Sequence, residues 1–331
     1  MTYIPRSGTE ALMPEEWQKE IVQVLPEQSS VMTLAYRAPD MSRAQKRIPV
    51  LSVLPTAYFL NPGPTQRSDA TDIARKRLTR QLWENKYLDA EELAVIVAVP
   101  EAVVEDVDYD LWNEVKPKLV EAFGLAFDQA VFYGVNAPAA WPTNLLTGAE
   151  SAGNLVVPGS LGSETDIYDE ILGEGGVISK VEEDGFMVSG HVAALTMRAK
   201  LRGLRDENGV PIFKSLYKEG VQGATRYELD GEQVVFPRNG SMIPEIGQLI
   251  SGDWRQLIWA LRKDITWKIL TEAVIQDPTT GEILYNLAQQ DMVGLRAVMR
   301  IAWQVPNPVN RIKEDASERY PFAVYGQQTG S

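Results

Sequence analysis

The chain has 331 residues, 44% apolar and 23% charged, the ordinary make-up of a folded protein with two or three domain-sized units. Acidic residues outnumber basic ones 45 to 32, a formal net charge of −13, which is the opposite of the bias that neutralises nucleic-acid phosphate. Cysteine is absent and His191 is the single histidine, which excludes disulfides, cysteine nucleophiles, thiolate metal sites and multi-histidine metal centres.

Residues 1–20 carry charges and prolines and lack the apolar stretch of a signal peptide. The longest strongly apolar run, 93–99, falls far short of the ~20 residues a membrane helix needs. A soluble intracellular protein is therefore expected. Pro14, Glu15 and Glu16 open a short helix, with proline at the first helical position and carboxylates at the positive end of the dipole. Trp17, Ile21 and Leu25 give it one narrow apolar stripe, and Pro26 stops it. One helix of this length must lay its stripe on something else, either its own domain's core or a neighbour.

Residues 48–60 read as an edge strand because Pro49 and Pro55 interrupt its donors. Asn61-Pro62-Gly63-Pro64 signals a turn, and the following stretch is basic, with Arg67, Arg75, Lys76, Arg77 and Arg80. LAVIVAV at 93–99 reads as a buried strand closed by Pro100. The segment 48–93 is then a two-stranded excursion with a charged tip, marginal alone in water and in need of a partner surface. Charge reverses at Glu101, Glu105, Asp106, Asp108 and Asp110. Leu111, Val115, Leu119, Phe123, Phe127 and Val131 recur every four residues, which predicts a helix over 109–133 ended by Gly134 and kinked at Pro117. Its length is roughly 37 Å at ~1.5 Å per residue.

Residues 135–165 read as loop with short strands, 167–172 as a helix, and 185–205 as containing a helix. Asn208-Gly209 is a tight turn, and the alternation of 227–236 around Asp230-Gly231 predicts a hairpin. Strands are expected at 254–259, 265–275 and 285–301, with Pro306 and Pro308 ending the last, and 326–331 frays.

No motif here builds an active site. GEGGV at 173–177 lacks the spacing of a nucleotide loop and reads as a flexible turn. His191 opens the apolar run HVAAL and reads as a helix-start or core histidine. Carboxylate neighbours such as Glu182/Glu183 and Asp206/Glu207 read as solvated charge. The basic cluster, on so acidic a chain, reads as a contact with protein. An arm, a charged ribbon and a long helix gain stability by lying on neighbours, which points to assembly.

The order of these elements resembles the major capsid protein family of tailed bacteriophages, the Hong Kong 97-like fold. PEEWQKEIVQVLPEQSSVMTLA is similar to that family's N-terminal arm. IPVLSVLPTAYFLN, the basic stretch and ELAVIVAVPEAVVED resemble its extended loop and return strand. DYDLWNEVKPKLVEAFGLAFDQAVFYG resembles its spine helix, and LRGLRDENGVPIF the turn after an axial-domain helix. SGDW resembles a strand entry, and DMVGLRAVMRIAWQVPNP the closing strand, with Arg296 and Arg300 at basic positions of the family. Residues 135–165 and 214–250 match no motif of it.

The resemblance implies an α+β chain: arm 1–47, extended β-hairpin loop 48–94, peripheral domain 95–164 with spine helix 109–133, axial domain 165–284, return strand of the peripheral domain 285–312 and C-terminal segment 313–331. It implies a structural, non-catalytic protein without cofactor, metal or membrane. Its copies form the pentamers and hexamers of an icosahedral shell around double-stranded DNA, assembled in host cytoplasm and resident in the virion. A portal protein is an implied partner, with decoration and scaffolding proteins as further candidates. The arm helix begins by Pro14, so no fused scaffolding domain is expected. Predicted subunit contacts are arm residues Trp17 and Ile21, and loop residues Arg67, Arg75, Lys76, Arg77 and Arg80 against Glu101, Glu105, Asp106 and Asp108 of a neighbour. Some family members crosslink Lys to Asn, for which Lys76 or Lys86 is the candidate amine. Rival readings are an encapsulin-like nanocompartment, a tail or connector protein, and a carboxylate-dependent enzyme with His191 as base.

Overall fold

The computed structural model describes residues 29–57, 78–102, 111–162, 166–205, 209–216, 226–277 and 279–327. They divide into two units, a smaller one drawn from Ile96–Val120 and Lys268–Arg296, and a larger one drawn from Glu27–Val95, Glu121–Trp267 and Ala297–Ser331. In chain order the elements are α1 (Ser30–Leu34), β1 (Tyr36–Arg37), β2 (Gln45–Val53), β3 (Leu82–Asp89), β4 (Glu91–Pro100), α2 (Leu111–Tyr133), α3 (Leu145–Ser151), β5 (Leu155–Val156), α4 (Ile167–Leu172), α5 (Val177–Glu183), β6 (Gly190–Ala193) and α6 (Met197–Leu201). They continue as β7 (Lys214–Leu216), β8 (Arg226–Leu229), β9 (Glu232–Val235), β10 (Gly247–Gly252), β11 (Ile258–Leu270), β12 (Val274–Gln276), β13 (Ile283–Asn286), β14 (Met292–Gln304) and β15 (Phe322–Gly326).

The larger unit is organised by a seven-stranded mixed sheet in the order β5, β15, β10, β6, β9, β8, β7. Side chains alternate across it, so each strand feeds two cores. Leu249, Ala193, Val234, Ala323 and Tyr325 enter one core, beneath Ile171 of α4, Val177, Ile178 and Val181 of α5, and Met197 and Leu201 of α6. Ile250, Val192, Phe322 and Val324 enter the other, with Phe123, Phe127, Ala130 and Val131 of α2. Aromatic edges fill the second core: Phe127 meets Trp141 at 5.9 Å and Trp254 meets Phe322 at 5.2 Å between ring centroids. A four-stranded sheet runs in the order β1, β11, β14, β4.

Helix α2 and the β8–β9 hairpin follow the sequence closely. The hairpin turn takes φ of 51° at Asp230 and 84° at Gly231, the doubly positive pair that the right-handed twist of the flanking strands demands. Strands β2 and β3 pair antiparallel from Gln45↔Asp89 to Leu51↔Trp83, alone, so Pro49 costs no ladder bond on a second side. Helix α4 spans the predicted residues.

Other expectations are corrected. Strand β4 covers 93–99 but is only half-buried along its length, because it is an edge strand. The helix expected within 185–205 is preceded by strand β6, which lies between β10 and β9; only Met197–Leu201 is helical. Residues Trp254–Gln256 form one 3-10 turn capped by Asp253, so SGDW marks the exit from β10 rather than a strand entry. The strand expected over 285–301 is broken into β13 and β14 by a turn with Asp291 at φ 49°. The strand expected over 265–275 likewise ends at Leu270 and resumes in β12. Helices α3 and α5 were not anticipated, and neither was β15.

His191 is a core residue on β6, fully buried, with Nδ1 hydrogen-bonded to Ser251 Oγ at 2.8 Å. It starts no helix. Burial drives its pKa from 6.5 down to about 4, against a weaker upward pull from the Leu229 backbone. Above pH 6.5 the imidazole is neutral in folded and unfolded chains alike. As pH falls from 6.5 towards 4, the unfolded chain takes up a proton that the folded chain refuses, and stability drops by about 3 kcal/mol. His191→Gln is expected to flatten that portion of the stability–pH curve in urea unfolding. The lone imidazole ¹⁵N resonance should stay neutral to about pH 4; a midpoint near 6.5 in the folded chain would contradict the assignment.

Candidate functional site

Among the described residues no group of carboxylates and histidine is arranged to hold a metal, and no helix is long and apolar enough to cross a membrane. What the larger unit presents instead is an anchored tail, an anchored N-terminal segment and a two-faced hairpin.

The tail is fixed by two buried charges. Asp184, at the end of α5, is fully buried; its carboxylate pairs with Lys313 Nζ at 2.6 Å and accepts from Asn154 Nδ2 at 2.6 Å and the Tyr320 amide at 2.8 Å. Arg319, 3% exposed, spends its guanidinium on backbone carbonyls: Pro308 at 3.2 Å, Glu314 at 2.6 Å, Lys313 at 3.3 Å and Asn307 at 3.2 Å. An irregular loop is thereby given the hydrogen-bond partners a buried backbone requires. Downstream, the Tyr325 hydroxyl donates to the buried Glu170 at 2.6 Å, and burial together with that carboxylate pushes the phenol's pKa up.

The described N-terminal segment is held similarly. Asp128, on α2 and fully buried, accepts from the Ser29 hydroxyl and from the Ser30 and Val31 amides at 2.7 and 3.2 Å, capping α1. The chain then runs parallel beside β11, Tyr36↔Ile258 and Arg37↔Trp259, with Arg37 5.5 Å above the Trp259 ring.

The hairpin β2–β3 has unlike faces. Register partners share a face, so Lys46/Leu88, Ile48/Lys86 and Val50/Glu84 lie together. This side is seated: Leu88 and Val50 are buried, and Val50, Glu84 and Lys86 line a cleft of about 300 Å³ whose far wall is the tail at Pro306, Asn307, Asp315 and Arg319. Val309 N donates to Leu51 O at 3.1 Å, and Arg311 donates to Pro55 O. The other face carries Arg47/Tyr87, Pro49/Asn85 and Leu51/Trp83. There Trp83 is 62% exposed and Tyr87 41%, and Leu78 and Leu82 are bare near the start of β3. In the smaller unit, β12 and β13 pair with each other alone, and Val274, Ile283, Leu284 and Tyr285 are exposed. Exposed tryptophan, tyrosine and aliphatic side chains at this density make these the candidate docking surfaces among the described residues.

Of the predicted contacts, Arg80 is exposed just before β3, and Glu101 is exposed just after β4, its amide donating to Asp291 O at 2.8 Å. Neither has an ion-pair partner among the described residues. Arg67, Arg75, Lys76, Arg77, Glu105, Asp106, Asp108, Trp17 and Ile21 lie outside the described residues. Arg300 holds Glu92 through Nε and Nη2 at 2.8 and 2.7 Å, while Arg296 is exposed. Sequence reasoning missed Trp83 and Tyr87; LWENKYLD did carry the signal, since their spacing of four puts both on one side of a strand.

The chain matches the phage capsid family model over residues 9–313. It is 26% identical over 308 residues to the major capsid protein of Staphylococcus phage 80alpha, covering 92% of this chain and 84% of that one. Among solved structures, a chain from Microbacterium phage Oxtober96 superposes with TM-score 0.78 at 31% identity, covering 98% of this chain and 99% of its own. One from Mycobacterium phage Adephagia gives 0.76 at 25% identity, covering all of both chains.

Asp184→Ala should destabilise the chain by about 3–5 kcal/mol, because it removes the carboxylate that the Tyr320 amide, Lys313 and Asn154 share and leaves Lys313 and Asn154 only longer bonds to backbone carbonyls. The urea midpoint measures this; a loss under about 1 kcal/mol would show the network to be idle.

Proposed function

The chain belongs to the phage capsid family and is a phage major capsid protein; on that premise we propose that its copies form the pentamers and hexamers of an icosahedral head around double-stranded DNA. The observation that carries the reading is the family match over residues 9–313, joined to end-to-end likeness with phage structures. Those relatives are phage proteins, which favours a virion head over a nanocompartment, and the role is structural rather than catalytic.

In Hong Kong 97-like terms, α2 serves as the spine helix and 48–94 as the extended loop. The seven-stranded sheet with α4–α6 serves as the axial domain, and β14 as the return strand. Helix α1 and β1 continue an arm that begins upstream. The partners are further copies of the chain, a portal and, where the phage encodes them, scaffolding and decoration proteins; DNA is enclosed without sequence-specific binding. A net charge of −13 suits a wall that must not condense onto phosphate as the head fills. The basic residues Arg67, Arg75, Lys76, Arg77 and Arg80 reach a neighbour at its Glu101–Asp108 segment, and the bare face of β2–β3 lies against an adjoining copy.

Two variants test this. Trp83→Ser/Tyr87→Ser should leave the melting of the isolated subunit unchanged, within the ~0.5 kcal/mol typical of exposed substitutions, and sharply lower the yield of shells in negative stain. Arg75→Glu/Arg77→Glu should also weaken assembly. Shells of normal yield from either variant would remove that contact from the scheme, and a wild-type chain that stays monomeric at high concentration would overturn the reading as a whole.

A further inference from the structure

The sequence holds Asn-Gly twice, at Asn208-Gly209 and at Asn239-Gly240, and the first asparagine lies outside the described residues. The second pair sits between β9 and β10 in the larger unit, in neither helix nor strand. Gly240 is exposed, takes φ of 82° and has no heavy atom within 4 Å of the place where a side chain would stand. Any other residue would be strained in that left-handed conformation, so the fold asks for glycine there. Asn239 Oδ1 accepts from the Ser241 amide at 3.0 Å, which bends the carboxamide back along its own chain, past the Gly240 peptide. Its buried Nδ2 has no acceptor, and the Gly240 amide donates to nothing among the described residues.

These are the parts of an intramolecular acyl transfer. The electrophile is Asn239 Cγ and the nucleophile is the Gly240 nitrogen, whose attack closes a five-membered ring with no side chain on Gly240 to obstruct it. The Ser241 N–H already points at the oxygen on which negative charge develops as Cγ becomes tetrahedral. The leaving nitrogen, Nδ2, gives up no hydrogen bond when it departs. Other asparagines are placed differently. Asn61 and Asn307 precede prolines, which have no N–H to attack with. Asn154 and Asn310 each spend Nδ2 on Asp184 at 2.6 Å, and Asn144 caps α3.

We infer that Asn239-Gly240 is a site of spontaneous covalent modification, at which asparagine becomes aspartate and isoaspartate through a cyclic imide. The Gly240 nitrogen attacks Asn239 Cγ as its proton passes through water to Nδ2; the N–Cγ bond forms, the Cγ–Nδ2 bond breaks, and Nδ2 leaves as ammonia. Water then opens the imide. Addition at Cγ breaks the new bond and gives aspartate at 239. Addition at the main-chain carbonyl breaks the original peptide bond and gives isoaspartate, with the chain running through Cγ. One water is consumed and one ammonia released, and nothing is oxidised or reduced. Either product adds a negative charge near the C-terminal end of α2, the negative end of its dipole. Gln129 of α2 donates to Gly240 O at 3.0 Å, so the longer isoaspartyl backbone loosens the tie between this turn and the helix. A subunit built into a head is not replaced, so on the capsid reading this one-way change accumulates with the age of the particle; the chemistry itself does not depend on that reading.

Ageing the purified chain tests this. Samples are held in mildly alkaline buffer for successive weeks, folded or in urea, and the peptide bearing residue 239 is mapped by mass spectrometry with fragmentation that separates aspartate from isoaspartate. The folded chain is expected to gain about one mass unit at 239, with isoaspartate present, at a rate within about tenfold of that in urea, because an open turn is little protected by the fold. The peptides bearing Asn154 and Asn310 should stay intact in the folded chain. Asn239→Gln keeps an amide but would need a six-membered ring, and should hold its mass at this position over the same period. A residue 239 that stays intact in the folded chain would overturn the inference, and conversion to aspartate alone would overturn the route through Gly240. Neither result bears on the capsid reading.

Discussion

The seven-stranded sheet is covered on both faces, and its second strand from one edge is β15, close to the end of the chain. A strand in that position must hydrogen-bond on both sides and bury alternate side chains in two different cores, as Phe322 and Val324 do in one and Ala323 and Tyr325 in the other. The larger unit is therefore incomplete until its C-terminal segment has come home. The route home is the loop that Asp184 and Arg319 hold in place. That same loop is the wall against which β2 and β3 are seated, through Val309 and Leu51 and across the cleft beside Lys86. Closing the sheet thus positions a hairpin that would be marginal by itself in water.

Seating one face of the hairpin leaves the other bare, and this division has a direct physical origin. The period of two along β3 sends Leu88 inward and Trp83 and Tyr87 outward, and nothing among the described residues covers the outward row. Charge is divided in a comparable way. The buried ions, Asp184, Arg319 and Asp128, are each saturated by partners within the fold, as desolvated charges must be. Interior electrostatics fix the tile, and surface electrostatics remain for other molecules.

Legibility in the sequence followed periodicity. Helix α2 was readable because one stripe of apolar residues repeats every four positions, and β8–β9 because alternation flanks an Asp-Gly turn. Strands β6 and β15 were not, because GHVA and FAVYG are buried on both faces and so show no alternation. Helix α5 was hidden behind the glycines of 173–176, which mark its start rather than a free turn. The proposed contact residues were legible only as charge. Arg80 and Glu101 are exposed, but a partner on another copy, as proposed, would leave no trace in the order of one chain. The aromatic row at Trp83 and Tyr87 was overlooked because a strand with two aromatics resembles any strand until its inner face is known.

The energetics of single contacts bear on the proposed assembly. Covering the exposed part of one tryptophan is worth at most about 3 kcal/mol at ~25 cal/mol per Å². A millimolar dissociation constant corresponds to about 4 kcal/mol, so no one anchor holds two copies together at cellular concentrations. Adding an ion pair at a wet surface changes this by about 1 kcal/mol or less. In a closed ring each copy is held at two interfaces, and the last contact forms without further loss of translational freedom, at an effective concentration far above that of free chains. In the proposed pentamers and hexamers weak contacts would then act jointly: a charge of −13 opposes chance pairing of two copies, whereas a closed ring would lose a member only by breaking two interfaces together.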